Sequence, residues 1–231
     1  MYLSRVRVAT QSLDRQALVK LLAGDAYANH KLLWRLFSEA RERSFLFRQE
    51  MEGEQLAPEE SPRGLSLFYV LSSLKPESLP GLMECETKPF DPQLKGGDRL
   101  LFKLRANPTV ARKDEGERRS RRHDVLMDAK WRWRNEGDTA PGSLHSAMEE
   151  SAVQWLEARS KSWGFELAAT PQISGYRQHR WRRKHGEIRF SSVDYDGAMT
   201  VTDPERLRET LFQGVGRSRA FGCGLFLVKR G

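Results

Sequence analysis

Residues 164–193, GFELAATPQISGYRQHRWRRKHGEIRFSSV, decide the fold of this chain. Gly164 suits the left-handed residue that follows a helix end. Phe165 to Ile173 then reads as a strand. Tyr176 to Arg183 and Glu187 to Val193 alternate as the two arms of a hairpin turning at Lys184-His185-Gly186. Upstream lies a helical pattern from about Leu144 to Trp163, preceded by a polar stretch to about Pro141 and a strand from Asp98 to Ala106. Downstream, Asp203-Pro204 forms an N-cap and first-turn pair for a helix to Gln213, and Leu225 to Lys229 is a last strand. The order is β-α-β-β-α-β, the ferredoxin-like (RRM-like) unit.

The first half carries a weaker copy of that order. Tyr2 to Val8 is a strand with Tyr2, Ser4, Val6 and Val8 on one face and arginines on the other. Leu13 to Leu22 is a helix stopped by Gly24, and Asp25 caps a second helix, Ala26 to Ala40, with a core stripe of Leu32, Leu33, Leu36 and Phe37. Strands at Phe45 to Glu50 and Gly64 to Ser72 flank the acidic loop Glu52 to Glu60. A Pro/Gly-punctuated crossover, Lys75 to Gly81, leads to a strand at Leu82 to Thr87. The expected architecture is α+β: two tandem ferredoxin-like domains, residues 1–92 and 97–231, parted where Pro89, Pro92, Gly96 and Gly97 cluster.

Charge separates the halves further. Of 231 residues, the first 94 carry 12 Lys/Arg against 13 Asp/Glu, and residues 95–231 carry 27 against 18. The whole excess of +8 therefore lies in the second half, and a polyanion is the expected partner. No apolar run is long enough to span a bilayer, and the N-terminus lacks a signal-peptide pattern, so the chain reads as cytoplasmic. Cys85 and Cys223 are isolated thiols that fit a reducing compartment.

Two basic features stand out in that half. Residues 177–189 hold six Lys/Arg (Arg177, Arg180, Arg182, Arg183, Lys184 and Arg189) and one acid. Arg180, Arg182 and Lys184 alternate in register, so one face of the arm is cationic and suits RNA phosphates; a charge-protected edge hairpin is the plainer reading. Residues 214–224, GVGRSRAFGCG, set Arg217 and Arg219 among Gly214, Gly216, Gly222 and Gly224. Such a loop can lay N–H groups against a phosphate chain, although a Gly-rich turn before a core strand explains the glycines too. The charged stretch Arg112 to Arg134 has nine Lys/Arg, five Asp/Glu, and Trp131 and Trp133 near its end; it reads as a loop of open role.

Catalytic motifs are few. Among five histidines there is no H-E-x-x-H, and no C-x-x-C, G-x-S-x-G or kinase signature occurs, so no metal or organic cofactor is expected. RNA strand cleavage by its own 2′-hydroxyl suits this inventory, because the substrate brings the nucleophile and the enzyme aligns it and moves two protons. Tyr27 and His30, three residues apart on one helical face, are the candidate pair. An unperturbed histidine titrates near ~6.5 and works in either direction; tyrosine is an orienting donor. Packing beside the apolar stripe is the competing use of both side chains.

Together, Tyr27-x-x-His30-x-x-x-Trp34-Arg35-Leu36-Phe37, Phe102 to Thr109 (FKLRANPT) and the terminal Gly/Arg loop resemble the CRISPR-associated CasE endoribonuclease family of type I-E systems. The resemblance implies tandem ferredoxin-like domains and metal-independent cutting of CRISPR repeat RNA at the 3′ base of its stem-loop. It implies a 2′,3′-cyclic phosphate (or 3′-phosphate) and a 5′-hydroxyl, a retained product, and assembly with other Cascade subunits. It puts the catalytic pair on Tyr27 and His30, the groove-binding hairpin on about Arg177 to Arg189, and the glycine-rich loop on Gly214 to Gly224. The base and acid roles stay open. A non-catalytic tandem-domain RNA-binding scaffold is the alternative, separated from the nuclease by whether RNA is cut. A metal-dependent nuclease is excluded if cutting survives EDTA.

Overall fold

The computed structural model describes residues 1–8, 16, 26–51, 66–112, 120–136, 143–183 and 186–231. Two compact units divide the chain. The first comprises Met1–Gln93, Phe212–Gly214 and Arg219–Leu225; the second comprises Leu94–Leu211, Val215–Ser218 and Phe226–Gly231. The end of the helix before the C-terminal loop and part of that loop thus group with the first unit, where the sequence puts all of 97–231 in the second.

In the first unit, strands β1 (Tyr2–Val8), β2 (Phe45–Met51), β3 (Ser66–Ser72) and β4 (Met83–Pro89) form an antiparallel sheet in the order β2-β3-β1-β4. That order places β1 centrally, and its alternation shows why: Ser4, Val6 and Val8 are buried. On the opposite face Arg5 and Arg7 both bind Glu86 of β4, Arg5 at 2.5 Å. Helix α1 (Ala26–Trp34) covers the apolar face, where Leu33, Leu36 and Phe37 meet Val6, Phe45, Phe47, Phe68 and Met83.

The expected helix to Ala40 ends earlier, at Trp34. Arg35, Leu36 and Phe37 instead donate to carbonyls three residues back, at 3.1–3.2 Å, and this tighter winding carries Leu36 and Phe37 into the core. Phe37 stacks on Phe45 at 4.9 Å. The expected crossover at Lys75 to Gly81 holds no helix; Leu79 and Met83 exchange backbone hydrogen bonds of 2.8 and 2.9 Å across a turn. Apart from Gln16, the helix expected at Leu13 to Leu22 lies outside the described residues, as do Gly24, Asp25 and the acidic loop Glu52 to Glu60.

The second unit is built on β5 (Arg99–Ala106), β6 (Thr109–Arg112), β7 (Arg121–Asp124), β8 (Phe165–Leu167), β9 (Gln172–Arg183), β10 (Gly186–Val201) and β11 (Phe226–Arg230). The main sheet runs β11-β5-β10-β8, with β9 pairing the first part of β10. Leu100, Phe102, Leu104 and Ala106 of β5 are buried in strict alternation. The expected strand Phe165 to Ile173 is broken into β8 and the start of β9, so the hairpin arms are longer than the sequence suggested.

Helix α3 (Leu144–Ser160) begins at Ser143, whose hydroxyl accepts from Ser146 N at 3.2 Å. It ends through a 3-10 turn at Gly164, where φ is 88° and a Cβ would lie 2.5 Å from Asp203 O. Only glycine meets both demands. Helix α4 (Pro204–Gln213) is capped as expected, Asp203 Oδ1 accepting from Arg206 N at 3.0 Å.

The stretch read as one charged loop is ordered over much of its length. β6 and β7 form a two-stranded ribbon, and helix α2 (Val125–Glu136) follows at once. Asp124 caps it, accepting from Leu126 N and Met127 N at 2.8 and 3.1 Å. Buried Asp128 holds Arg112 at 2.7 Å and Arg132 at 3.4 Å. Among the described residues no helix is long and apolar enough to cross a membrane.

Candidate functional site

Tyr27 and His30 project from α1, which is tied to the edge strand β2 by Asn29 Nδ2 donating to Gln49 Oε1 at 2.6 Å. His30 is half-buried in an aromatic cup. The ring centroids of Phe45, Trp34 and Phe221 lie 5.9, 6.2 and 6.4 Å from its own. Phe221 arrives on the 3-10 turn Arg219–Phe221 of the C-terminal segment, within the first unit.

Two glycines allow that segment to lie so close. At Gly214, φ is +70° and a Cβ would fall 2.6 Å from Leu46 Cδ1 and 2.9 Å from Gly224 O. At Gly222, φ is +83° and a Cβ would come 3.2 Å from the Phe47 ring. These glycines press the C-terminal segment onto β2. The sequence signalled a close backbone approach but not its target.

Trp34 Nε1–H donates to His30 Nε2 at 3.0 Å, which assigns the neutral tautomer with its proton on Nδ1. Burial, and secondarily the positive charge of Arg43, lower the His30 pKa below its ordinary value. Arg43 is itself lowered by burial and then by Arg219. Arg219 is fixed by donating to Gln213 O at 2.8 Å. Among the described residues no carboxylate pairs with Arg43 or Arg219. A neutral imidazole with a guanidinium group as neighbour can accept a proton next to a bound anion.

Tyr27 stands on the same helical face as His30. The Lys31 ammonium lies 4.6 Å over the Tyr27 ring, so this lysine is turned to the tyrosine and not to the imidazole. Arg43 and Phe221 were missed by the sequence reading. Arg219 had been read with the RNA-binding loop; the structure brings it to His30's neighbour.

The basic hairpin lies in the second unit. Arg180 sits directly across from Arg189, and Arg182 across from Glu187. Those four positions share one face, as alternation demands. Glu187 bridges Arg180 and Arg189, the latter at 2.5 Å, so the one acid of the arm spaces its cations. Arg180 and Arg189 remain 64% and 65% exposed. On the other face His179 stacks on Phe190 at 4.4 Å and shares a 2.9 Å hydrogen bond with Ser192 Oγ. Burial, with Arg177 and Arg105, holds His179 down to about 4, which leaves it neutral at pH 7. Arg177, Arg182 and Arg183 are placed on β9 by register; Lys184 lies outside the described residues.

Arg217 is exposed and belongs to the second unit, apart from Arg219 in the grouping of residues. Gly216 approaches Trp155, where a Cβ would be 3.8 Å away. Among the described residues no group of three or more His, Cys, Asp and Glu side chains is placed to hold a metal ion.

Comparison with known proteins gives a consistent set of relatives. The model of a family described as CRISPR associated protein matches residues 1–230. The CRISPR-associated endoribonuclease Cse3 of Thermus thermophilus is 34% identical over 146 residues, spanning 61% of this chain and 60% of that protein. The CRISPR system Cascade subunit CasE of Escherichia coli is 25% identical over 227 residues, 97% of each. A solved structure of CRISPR endoribonuclease Cse3 bound to 19 nt RNA matches with a TM-score of 0.71 at 28% identity, covering 99% of this chain and 100% of that one. The tandem ferredoxin-like fold is thereby shared along the whole chain.

Proposed function

The chain belongs to the CRISPR-associated protein family, and from that premise we propose that it is the endoribonuclease that processes CRISPR repeat RNA. The observation that carries the chemistry is the neutral His30 ring, held by Trp34 in an aromatic cup with Arg43 as its cationic neighbour. The relatives support the substrate: Cse3 is an endoribonuclease seen bound to RNA, and CasE is a Cascade subunit.

In the proposed reaction the 2′-hydroxyl preceding the scissile phosphate gives its proton to His30 Nε2, which leaves the Trp34 indole to accept it. The freed O2′ attacks phosphorus, the P–O5′ bond breaks, O5′ takes a proton from water, and His30 returns its own proton to the solvent. The products are a 2′,3′-cyclic phosphate and a 5′-hydroxyl, formed at the 3′ base of the repeat stem-loop without a metal. Tyr27 orients the reacting strand, while Arg43 and Arg219 offset charge growing on the phosphate. The hairpin from Arg177 to Arg189, with Gly214 and Gly216 of the terminal loop, grips the stem by shape and phosphates, since A-form RNA hides base identity in its deep groove, and Arg217 meets RNA outside the stem. The product stays bound, and the complex joins other Cascade subunits. We place the protein in the cytoplasm, where Cys85 and Cys223, neither in a disulfide, are stable as thiols.

The test is single-turnover cleavage of the cognate repeat RNA in EDTA between pH 5 and pH 8. His30 has a lowered pKa, so its basic form is lost only as pH falls through a value below ~6.5. The rate is expected to be level from pH 7 upward and to fall on the acid side. A requirement for added magnesium, or a rate that climbs toward acid, contradicts the mechanism. RNA that is bound but left whole favours a tandem-domain scaffold.

The hairpin makes a separate prediction. Replacing Arg180 and Arg189 by alanine weakens RNA binding and flattens log K against log salt by roughly 0.7–0.9 per lost phosphate contact. An unchanged slope removes this face from the interface.

A further inference from the structure

A cleft of about 260 Å³ in the second unit gathers three arginines from three elements. Arg122 comes from β7, directly across the ribbon from Ala111 and on the same face as Thr109. Arg159 comes from α3, one turn after Trp155, and Arg217 comes from the turn after α4. Among the described residues none of the three pairs with a carboxylate. Among the described residues, three cations thus line one cleft with no carboxylate paired to them, whereas elsewhere in the unit an acid pairs with an arginine, as at Arg105–Asp194.

The cleft is built rather than incidental. The Arg159 guanidinium lies 4.6 Å over the Trp155 ring and donates one hydrogen bond to Trp155 O at 2.9 Å. A guanidinium has five donors, so four are left to serve a ligand. Trp155 is in turn fixed by donating Nε1–H to Thr109 O at 3.2 Å and by stacking on Tyr195 at 6.1 Å. The turn bearing Arg217 is also held. Ser218, a non-glycine residue at φ 57°, accepts from Asn107 Nδ2 through its hydroxyl at 2.7 Å. Strain of this kind persists where surrounding structure enforces it, commonly at ligand sites.

Arg122 and Arg217 are exposed, Arg159 is half-buried, and Trp155 beneath it is 6% exposed. The recess is therefore deeper than its rim. A phosphate on a flexible unpaired strand suits a half-buried guanidinium better than one fixed on a rigid duplex. We infer that this cleft is a phosphodiester clamp for the single-stranded RNA that flanks the repeat stem, with Arg122 and Arg217 as its jaws and Arg159 as its floor. The inference rests on the ribonuclease reading above, because it needs RNA as the partner.

The experiment measures affinity for two RNAs across a range of KCl concentrations. One is the cognate repeat hairpin with its flanking single strands, blocked by a 2′-deoxy sugar at the mapped cut; the other is the same hairpin trimmed to its stem-loop. Wild type is compared with the R122A/R217A double variant, whose thermal midpoint is checked first, both side chains being exposed. For the flanked RNA the variant's salt slope is expected to fall by about 1.4, the single-strand value for two lost contacts. For the trimmed hairpin the two proteins should give the same line. Equal slopes on both RNAs, with wild type still cutting, overturn the clamp and spare the ribonuclease reading. A loss of equal size on the trimmed hairpin makes the cleft a stem contact and overturns the single-strand assignment. A wild type without affinity for either RNA brings down the ribonuclease reading, and the clamp with it.

Discussion

His30→Ala lowers the single-turnover cleavage rate of repeat RNA by about 10²–10⁴-fold, the usual contribution of a positioned proton-transfer group, and leaves affinity within a few-fold. The separation of rate from affinity follows from where His30 sits. It is one half-buried ring in a cup of Trp34, Phe45 and Phe221, and it is not among the exposed cations proposed to bind RNA. Removing the ring takes away the proposed proton acceptor and no surface charge. Rapid-quench cleavage and filter binding on the same preparation check both halves of the expectation. A loss of affinity as large as the loss of rate would make His30 a recognition or structural residue.

Gly214→Val is the second large effect, and it acts from outside the reacting groups. A side chain at φ +70° costs about 1–2 kcal/mol in backbone strain alone. The new Cβ also meets Leu46 at 2.6 Å and, less forgivingly, the Gly224 carbonyl at 2.9 Å. Relief comes by moving the terminal segment off β2, which withdraws Phe221 from His30 and Arg219 from Arg43. Misplacement by about 1 Å can cost on the order of 10²-fold in rate. A cleavage rate down by about that factor is expected, with a lowered thermal midpoint. An unchanged rate would separate the glycine-rich segment from catalysis.

Much of the fold was legible because its signals are local. Gly164, Asp203-Pro204 and the alternation of β1 and β5 each state a conformational need at one place in the chain, and each was met there. Helix α2 was not legible. Its buried positions Val125, Leu126 and Ala129 are few and its surface is crowded with charge, so polarity masked the helical period. Its anchor, Asp128 to Arg112, is a tertiary ion pair that spacing cannot announce.

The site divides in the same way. Tyr27 and His30 stand three residues apart on one helix, so their spacing alone nominates them as a pair. Arg43 and Phe221 join His30 only through β2 and the returning C-terminal segment, and no local pattern marks either. The glycines were noticed, but a run of glycines states only that something comes close. It took the fold to show that Gly214 and Gly222 face Leu46 and Phe47.

Attack by the RNA's own 2′-hydroxyl is the central claim, and one atom of the substrate tests it. The measurement is a denaturing gel of end-labelled cognate repeat RNA incubated with the wild-type protein in EDTA, beside the same RNA carrying a single 2′-deoxy sugar at the mapped cut. The account predicts one cut in the first lane, ending in a cyclic phosphate or its 3′-phosphate derivative, and intact RNA in the second. Cleavage of the deoxy RNA at the same bond would contradict it, because the nucleophile would then have to come from elsewhere.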